Sequence, residues 1–236
     1  MSIQQIFYAW KAWRQARGES AEAPALKHIY FGMLKLSEGV MSTRKGNVIR
    51  LVELLDEAVR RAKVVTDEKS KSLPEEEREK IAEAVGVSAI RYFDLAQNPQ
   101  SDVKFSWDRM LALDGNSAPF LMYSYARARG IQRKGMVNNP AVDSLQIGDS
   151  VERTLALVLL QFPMVVEQAQ KNGKANILCD YLYDVASTFN RFYFANPVLT
   201  ASEQGIKDAR LALVEASLRV LQKGFDILGI VALERM

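Results

Sequence analysis

Between Ile177 and Phe192 the chain sets Ile177, Leu178, Tyr181, Leu182, Val185, Phe189 and Phe192 at steps of three and four residues. That period places them along one side of an α-helix; a strand would need apolar residues at every second position. So broad an apolar face has to be covered, and a stripe of this kind is core rather than a cofactor box. The neighbours carry stripes to match: Leu211, Val214, Leu218, Leu221 and Phe225 point inward from a last helix running to about Leu228, and Pro119 opens a long run from Phe120 to Gly135. Stripes of this kind joined by short loops pack as a helical bundle, here over residues 106–236.

Local signals punctuate the bundle. Asp149 with Glu152 reads as a capping box opening a helix to about Asn172, in which Pro163 should kink or interrupt the hydrogen-bond ladder. Thr200 with Glu203 reads as another. Upstream, Leu51, Leu54, Leu55 and Ala58 have helical spacing, and Thr66 to Glu77 is charge-dense enough to be a solvated linker. Ser72, Pro74 and Glu75 then mark a helix start. That helix is expected to reach Ala84 and to be punctuated by Gly86 before Ala89, Ile90, Phe93 and Leu95 resume the spacing. Asn98 to Asp102 is a turn, Val103 to Phe105 a short extended piece. At the front, Ile3, Ile6, Phe7 and Trp10 predict a helix docking its apolar face, and Ala25 to Leu36 a strand enclosing His28 as a packed, hydrogen-bonded histidine.

Composition excludes several kinds of chemistry. The single Cys179 rules out an internal disulfide and a cysteine-based metal cluster, and with only His28 beside it no metal site is expected. The longest apolar run, Leu155 to Leu160, ends at Gln161 and is far short of the ~20 residues a bilayer requires, so no membrane partner is expected and a reducing cytoplasmic setting is the default. A net charge of +3 permits nucleic-acid binding without demanding it. Two stretches carry the chemistry. Val40 to Asn47 joins Ser42, Thr43, Arg44, Lys45 and Gly46 in one loop, suited to a polyphosphate or simply a solvated turn. Arg127, Arg129, Arg133 and Lys134 follow Tyr123 and Tyr125 within about two helical turns, either an RNA contact or a solvated helix face.

Taken together, the stretches resemble one family over nearly the whole chain. Met41-Ser42-Thr43-Arg44-Lys45-Gly46-Asn47 resembles the arginyl-tRNA synthetase version of the class I signature KMSKS, and Leu51 to Ala58 the helix after it. Ser106 to Met110, Asp114 to Phe120 and Tyr123 to Arg129 resemble the start of that family's anticodon-binding domain. Asp208-Ala209-Arg210-Leu211 matches the letters of the DALR domain name, and the last residues, Leu233 to Met236, are similar to the family's C-terminus.

The resemblance implies a mainly α chain: a DALR-type bundle over 106–236, a signature loop with stem-contact helices over 37–105, and over 1–36 a strand-and-helix remnant of a class I α/β catalytic domain. It implies that Ser42, Thr43, Arg44 and Lys45 close on the phosphates of ATP, bound with Mg2+ as substrate by the full-length enzyme, with no cofactor tightly held by these residues alone. Val40 stands where the signature has its first lysine and Thr43 where it has its second, so Arg44 and Lys45 are the expected cations. It further implies tRNA contacts at Tyr123, Arg127, Arg129, Arg133, Lys134, Tyr193, Arg235 and Met236, with Tyr193 and Met236 against bases and Asp208 and Arg210 organising helix packing. Pro197 stands where relatives could place a large anticodon-facing side chain. The partner implied is arginine tRNA rather than DNA, in the cytoplasm. With no HIGH signature in the sequence, arginine and ATP are engaged only with the missing catalytic domain, and the chain alone is expected to be inactive. A free-standing tRNA- or protein-binding module is the alternative.

Overall fold

The computed structural model describes residues 2–22, 24–36, 39–40, 50–135 and 146–236. Five helices build the C-terminal bundle: α5 (Ala118–Lys134), α6 (Ser150–Leu160), α7 (Phe162–Asn172), α8 (Ala175–Ala195) and α9 (Gln204–Leu228). Their stripes meet as the periodicity requires, with Leu121, Tyr125, Leu155, Leu182, Phe189, Phe192, Leu221 and Phe225 all buried in one core. Caps delimit them. Ser117 accepts the Phe120 N–H at 3.3 Å, and Asp149 accepts those of Val151 and Glu152 at 2.8 and 2.9 Å. Pro163 interrupts the helix as expected, since it cannot donate to the ladder, and α7 restarts at Phe162. Thr200, by contrast, caps nothing. The chain turns helical only at Gln204, with Glu203 at the cap position and no side-chain cap bond.

Ahead of the bundle, α2 (Leu51–Lys69) and α3 (Glu75–Leu95) form a hairpin. Lys63 reaches Glu75 at 2.6 Å while Gly86 faces Val59, so the two run antiparallel. Only residues 70–74 are loop; the charge-dense stretch before them is helical because Thr66 turns into the interior. Pro74 sits at the cap position itself and Ser72 makes no cap bond. Gly86 does not break α3. A Cβ there would lie 2.7 Å from the Val59 backbone, so the glycine lets the helices touch inside a continuous helix. Ile81, Ala82, Val85 and Tyr92 of α3 join the bundle's core, and the Tyr92 hydroxyl donates to the Cys179 carbonyl at 2.8 Å.

The front of the chain is built differently. A small sheet has β1 (Leu34–Leu36) in its centre, antiparallel to β2 (Gly39–Val40) and parallel to β3 (Val103–Lys104), with Lys35 opposite both Val40 and Lys104. A four-residue helix, α4 (Trp107–Met110), follows β3. The strand expected over Ala25 to Leu36 is confined to its last three residues. Before them the side chains of Ile29, Tyr30 and Phe31 are exposed, and the backbone is pinned near its end, where the Gly32 N–H donates to the Pro99 carbonyl at 2.7 Å and the Met33 N–H to the Asp102 carboxylate at 2.9 Å. His28 is exposed beside Tyr30, not packed in a core. Helix α1 (Ile3–Ala16) forms behind a capping box between Ser2 and Gln5, yet buries none of its residues; Phe7 and Trp10 are only half-buried. The docking expected of it is not made by the described residues. No helix among them is long and apolar enough to cross a membrane.

Candidate nucleic-acid interface

Helix α5 presents two faces after Pro119. One carries Leu121, Met122, Tyr125 and Ala128 into the core; the other carries Tyr123, Arg127, Gly130 and Lys134 to the edge of a groove of about 660 Å³. The opposite walls come from the α2–α3 corner (Lys69, Ser70, Ser72, Leu73), from the end of α8 and the loop after it (Tyr193 and residues 196–199), and from Arg235 and Met236. Seven of the eight residues expected to meet tRNA therefore line one cavity, although they are drawn from three separate stretches of sequence.

Their environments differ. The Arg127 guanidinium lies 5.0 Å from the Tyr123 ring centroid, 4.8 Å from that of Tyr193 and 5.1 Å from that of Phe194, all within cation–π range. It also donates to the Asn190 side chain. Tyr123 and Tyr193 remain 41% and 38% exposed, enough for a planar ligand to lie on them. Arg133 donates to the Glu234 carbonyl at 2.7 Å, and its guanidinium is 3.8 Å from the Glu234 carboxylate. Lys134 and Arg235 make no ion pair among the described residues. Arg129 is the eighth residue and does not line the groove. It donates to the Tyr125 hydroxyl at 3.0 Å and pairs with Glu234 at 3.1 Å, holding the final residues of the chain against α5.

The wall that carries Asn196 and Pro197 is tied to a buried charge network. Glu152 is fully buried and accepts from Arg210 at 2.6 Å, from the Gly148 N–H at 2.5 Å and from the Asn196 amide at 3.3 Å. The second arm of Arg210 donates to the Pro197 carbonyl at 2.9 Å, and the Asn196 amide donates to Asp149. The Glu152 N–H, and then the Asn196 amide and Val151 N–H, hold the Asp149 carboxyl below its ordinary range. Arg210 thus organises packing as expected, tying α9 to α6 and to the loop that carries Pro197. Asp208 only accepts from Gln204 at 2.8 Å on the surface, while Ala209 and Leu211 are buried.

Sequence reasoning passed over Phe194, Lys69, Ser70 and Asn196. Phe194 had a signal: after Phe192 completes the apolar stripe, Tyr193 and Phe194 are aromatic residues that fall off it. Lys69, Ser70 and Asn196 had none, since only the tertiary fold brings them to the groove.

Other chemistry has little support. Burial pushes the Cys179 thiol up to about 12, which removes it as a nucleophile near neutral pH. No three His, Cys, Asp or Glu side chains among the described residues could share a metal ion. Ser42, Thr43, Arg44 and Lys45 lie outside the described residues, which resume just before α2.

Known proteins supply the context. A model of the DALR anticodon binding domain matches residues 121–236, and one of the class I tRNA synthetase (R) catalytic domain matches residues 1–107. An arginine–tRNA ligase of Fusobacterium nucleatum is 43% identical over 212 residues, covering 89% of this chain and 37% of its own length. One from Haemophilus influenzae is 41% identical, over 99% of this chain and 41% of its own. The arginyl-tRNA synthetase of Thermus thermophilus superposes with a TM-score of 0.84 at 33% identity, over 96% of this chain and 38% of its own. The chain spans well under half the length of the relatives it matches.

Proposed function

The chain belongs to the arginyl-tRNA synthetase family, and on that footing we propose that it forms the C-terminal part of an arginine–tRNA ligase whose groove takes unpaired bases of the anticodon loop of arginine tRNA. The carrying observation is the convergence of exposed aromatic rings and cations from α5, α8 and the last two residues on one groove. Unpaired bases offer flat faces to Tyr123, Tyr193 and the Met236 thioether, while Lys134, Arg133 and Arg235 meet the adjoining phosphates. In this reading residues 106–236 read the anticodon arm, 37–105 carry the signature loop and stem-contact helices, and 1–36 close a catalytic domain supplied by the rest of the ligase. Ser42, Thr43, Arg44 and Lys45 act there on the phosphates of ATP with Mg2+, where charge develops on the leaving pyrophosphate as arginine is adenylated in the cytoplasm.

Binding of arginine tRNA, followed by fluorescence anisotropy against an unrelated tRNA over a salt series, tests the proposal. Y193A is expected to weaken binding by about 1–3 kcal/mol, the contribution of one stacked base. Equal binding of both tRNAs that ignores salt would contradict it.

A further inference from the structure

Arg127 looks from the sequence like one more cation for phosphate, but its surroundings are those of a structural group. Three ring centroids lie within 5.1 Å of its guanidinium carbon. Behind it, Arg127 donates to Asn190, the Asn190 amide donates to the Ser124 hydroxyl at 2.8 Å, and Ser124 donates to the Phe120 carbonyl at 2.8 Å. Ser124 is completely buried, so this relay registers the guanidinium against the α5 backbone. Accepting from Arg127 also settles which way the Asn190 amide faces. One arm of Arg127 is committed to Asn190 and its guanidinium sits among the rings, so the side chain is anchored where it stands.

We infer that Arg127 is a positioning residue: it holds Tyr123, Tyr193 and Phe194 as one preorganised stacking platform and does not itself neutralise a phosphate. The inference rests on the groove taking unpaired bases. Tyr123 belongs to α5, while Tyr193 and Phe194 belong to the end of α8; all three are exposed, and Tyr123 and Tyr193 line the groove. Without a shared centre each would sample its own rotamers and would have to be ordered when a base arrives. A planar, weakly hydrated guanidinium suits that centre because it can lie against several rings at once. A lysine ammonium, compact and strongly hydrated, cannot.

The test compares the unsubstituted chain with R127A, R127K and K134A. The probe is an anticodon stem-loop of arginine tRNA carrying 2-aminopurine in the loop, whose fluorescence is quenched on stacking. Affinity is measured across a salt series, and quenching at saturation. R127A and R127K are both expected to bind about tenfold more weakly and to lose most of the quenching, with the salt slope unchanged. K134A is expected to keep the quenching while its slope falls by about 0.7. The inference is overturned if R127A lowers the slope as K134A does and leaves quenching intact, or if R127K binds and quenches like the unsubstituted chain. A role confined to fold stability would lower the melting temperature without changing quenching at saturation, and that result also overturns it. Should R127A fail to fold, R127K decides alone. Absence of quenching with the unsubstituted chain overturns the base-binding reading, and this inference with it.

Discussion

Helices α1 and α8 both set apolar side chains at helical spacing, but α8 buries nine residues and α1 none. Helix α8 is surrounded by α5, α6, α7 and α9, whose stripes complete its own. Helix α1 leaves Ile6 46% and Trp13 56% exposed, and its tryptophans lie against nearby cations, Arg14 at Trp10 and Arg17, at the helix's C-cap, at Trp13. A period of 3.6 residues specifies a helix and a face. Whether that face is dry depends on a partner the pattern does not name.

The contrast can be broken at its strongest point by R210A. Removing Arg210 leaves Glu152 buried with its charge uncompensated, and urea unfolding is expected to show a loss of about 3–5 kcal/mol. A loss below about 1 kcal/mol would mean that the α6–α9 junction is wetter than described.

Helix α2, between the two extremes, sharpens the contrast through pH. Hydrogen bonds from Arg60 and then Arg61 lower the Glu57 carboxyl from 4.5 to about 2. A folded-state value below the unfolded one contributes stability above pH 4.5 that is lost as the pH falls through about 2. E57Q is therefore expected to be less stable than the unsubstituted chain at neutral pH, with the gap closing over that window in acid titrations of the unfolding midpoint. A gap that stays constant down to pH 2 would remove the ion pair as its cause.

W13A should do least. With Trp13 mostly exposed, unfolding free energy should change by no more than about 0.5 kcal/mol. A loss of about 2 kcal/mol would show that α1 is packed after all and would dissolve the contrast.

The same logic separates what was readable in the site from what was not. Tyr123, Arg127, Arg133 and Lys134 could be grouped from sequence because one helix carries them, and helical spacing turns a short stretch into a surface. Tyr193 and Met236 came from resemblance to a family. Arg129, two positions from Arg127, falls on the opposite face with Tyr125 by the same spacing; that this face meets Glu234 was not legible, since that contact joins residues far apart in the chain. Gly86 misled for a related reason: helix propensity marks it as a break, but its role is to admit the Val59 backbone from another helix.

What the amino-acid sequence determined by itself is local and periodic: nearly every helix, the interruption at Pro163, the cap at Asp149 and the inward faces of α8 and α9. These follow from backbone geometry and from the cost of leaving an apolar stripe in water. The tertiary structure alone decided that Lys69, Arg127, Tyr193 and Met236 border one groove, that Glu152 and Arg210 share a buried bond, and that Arg127 is enclosed by rings from two helices. Each of these joins residues far apart in the chain, and such contacts arise from how the stripes interlock, which no single stripe encodes.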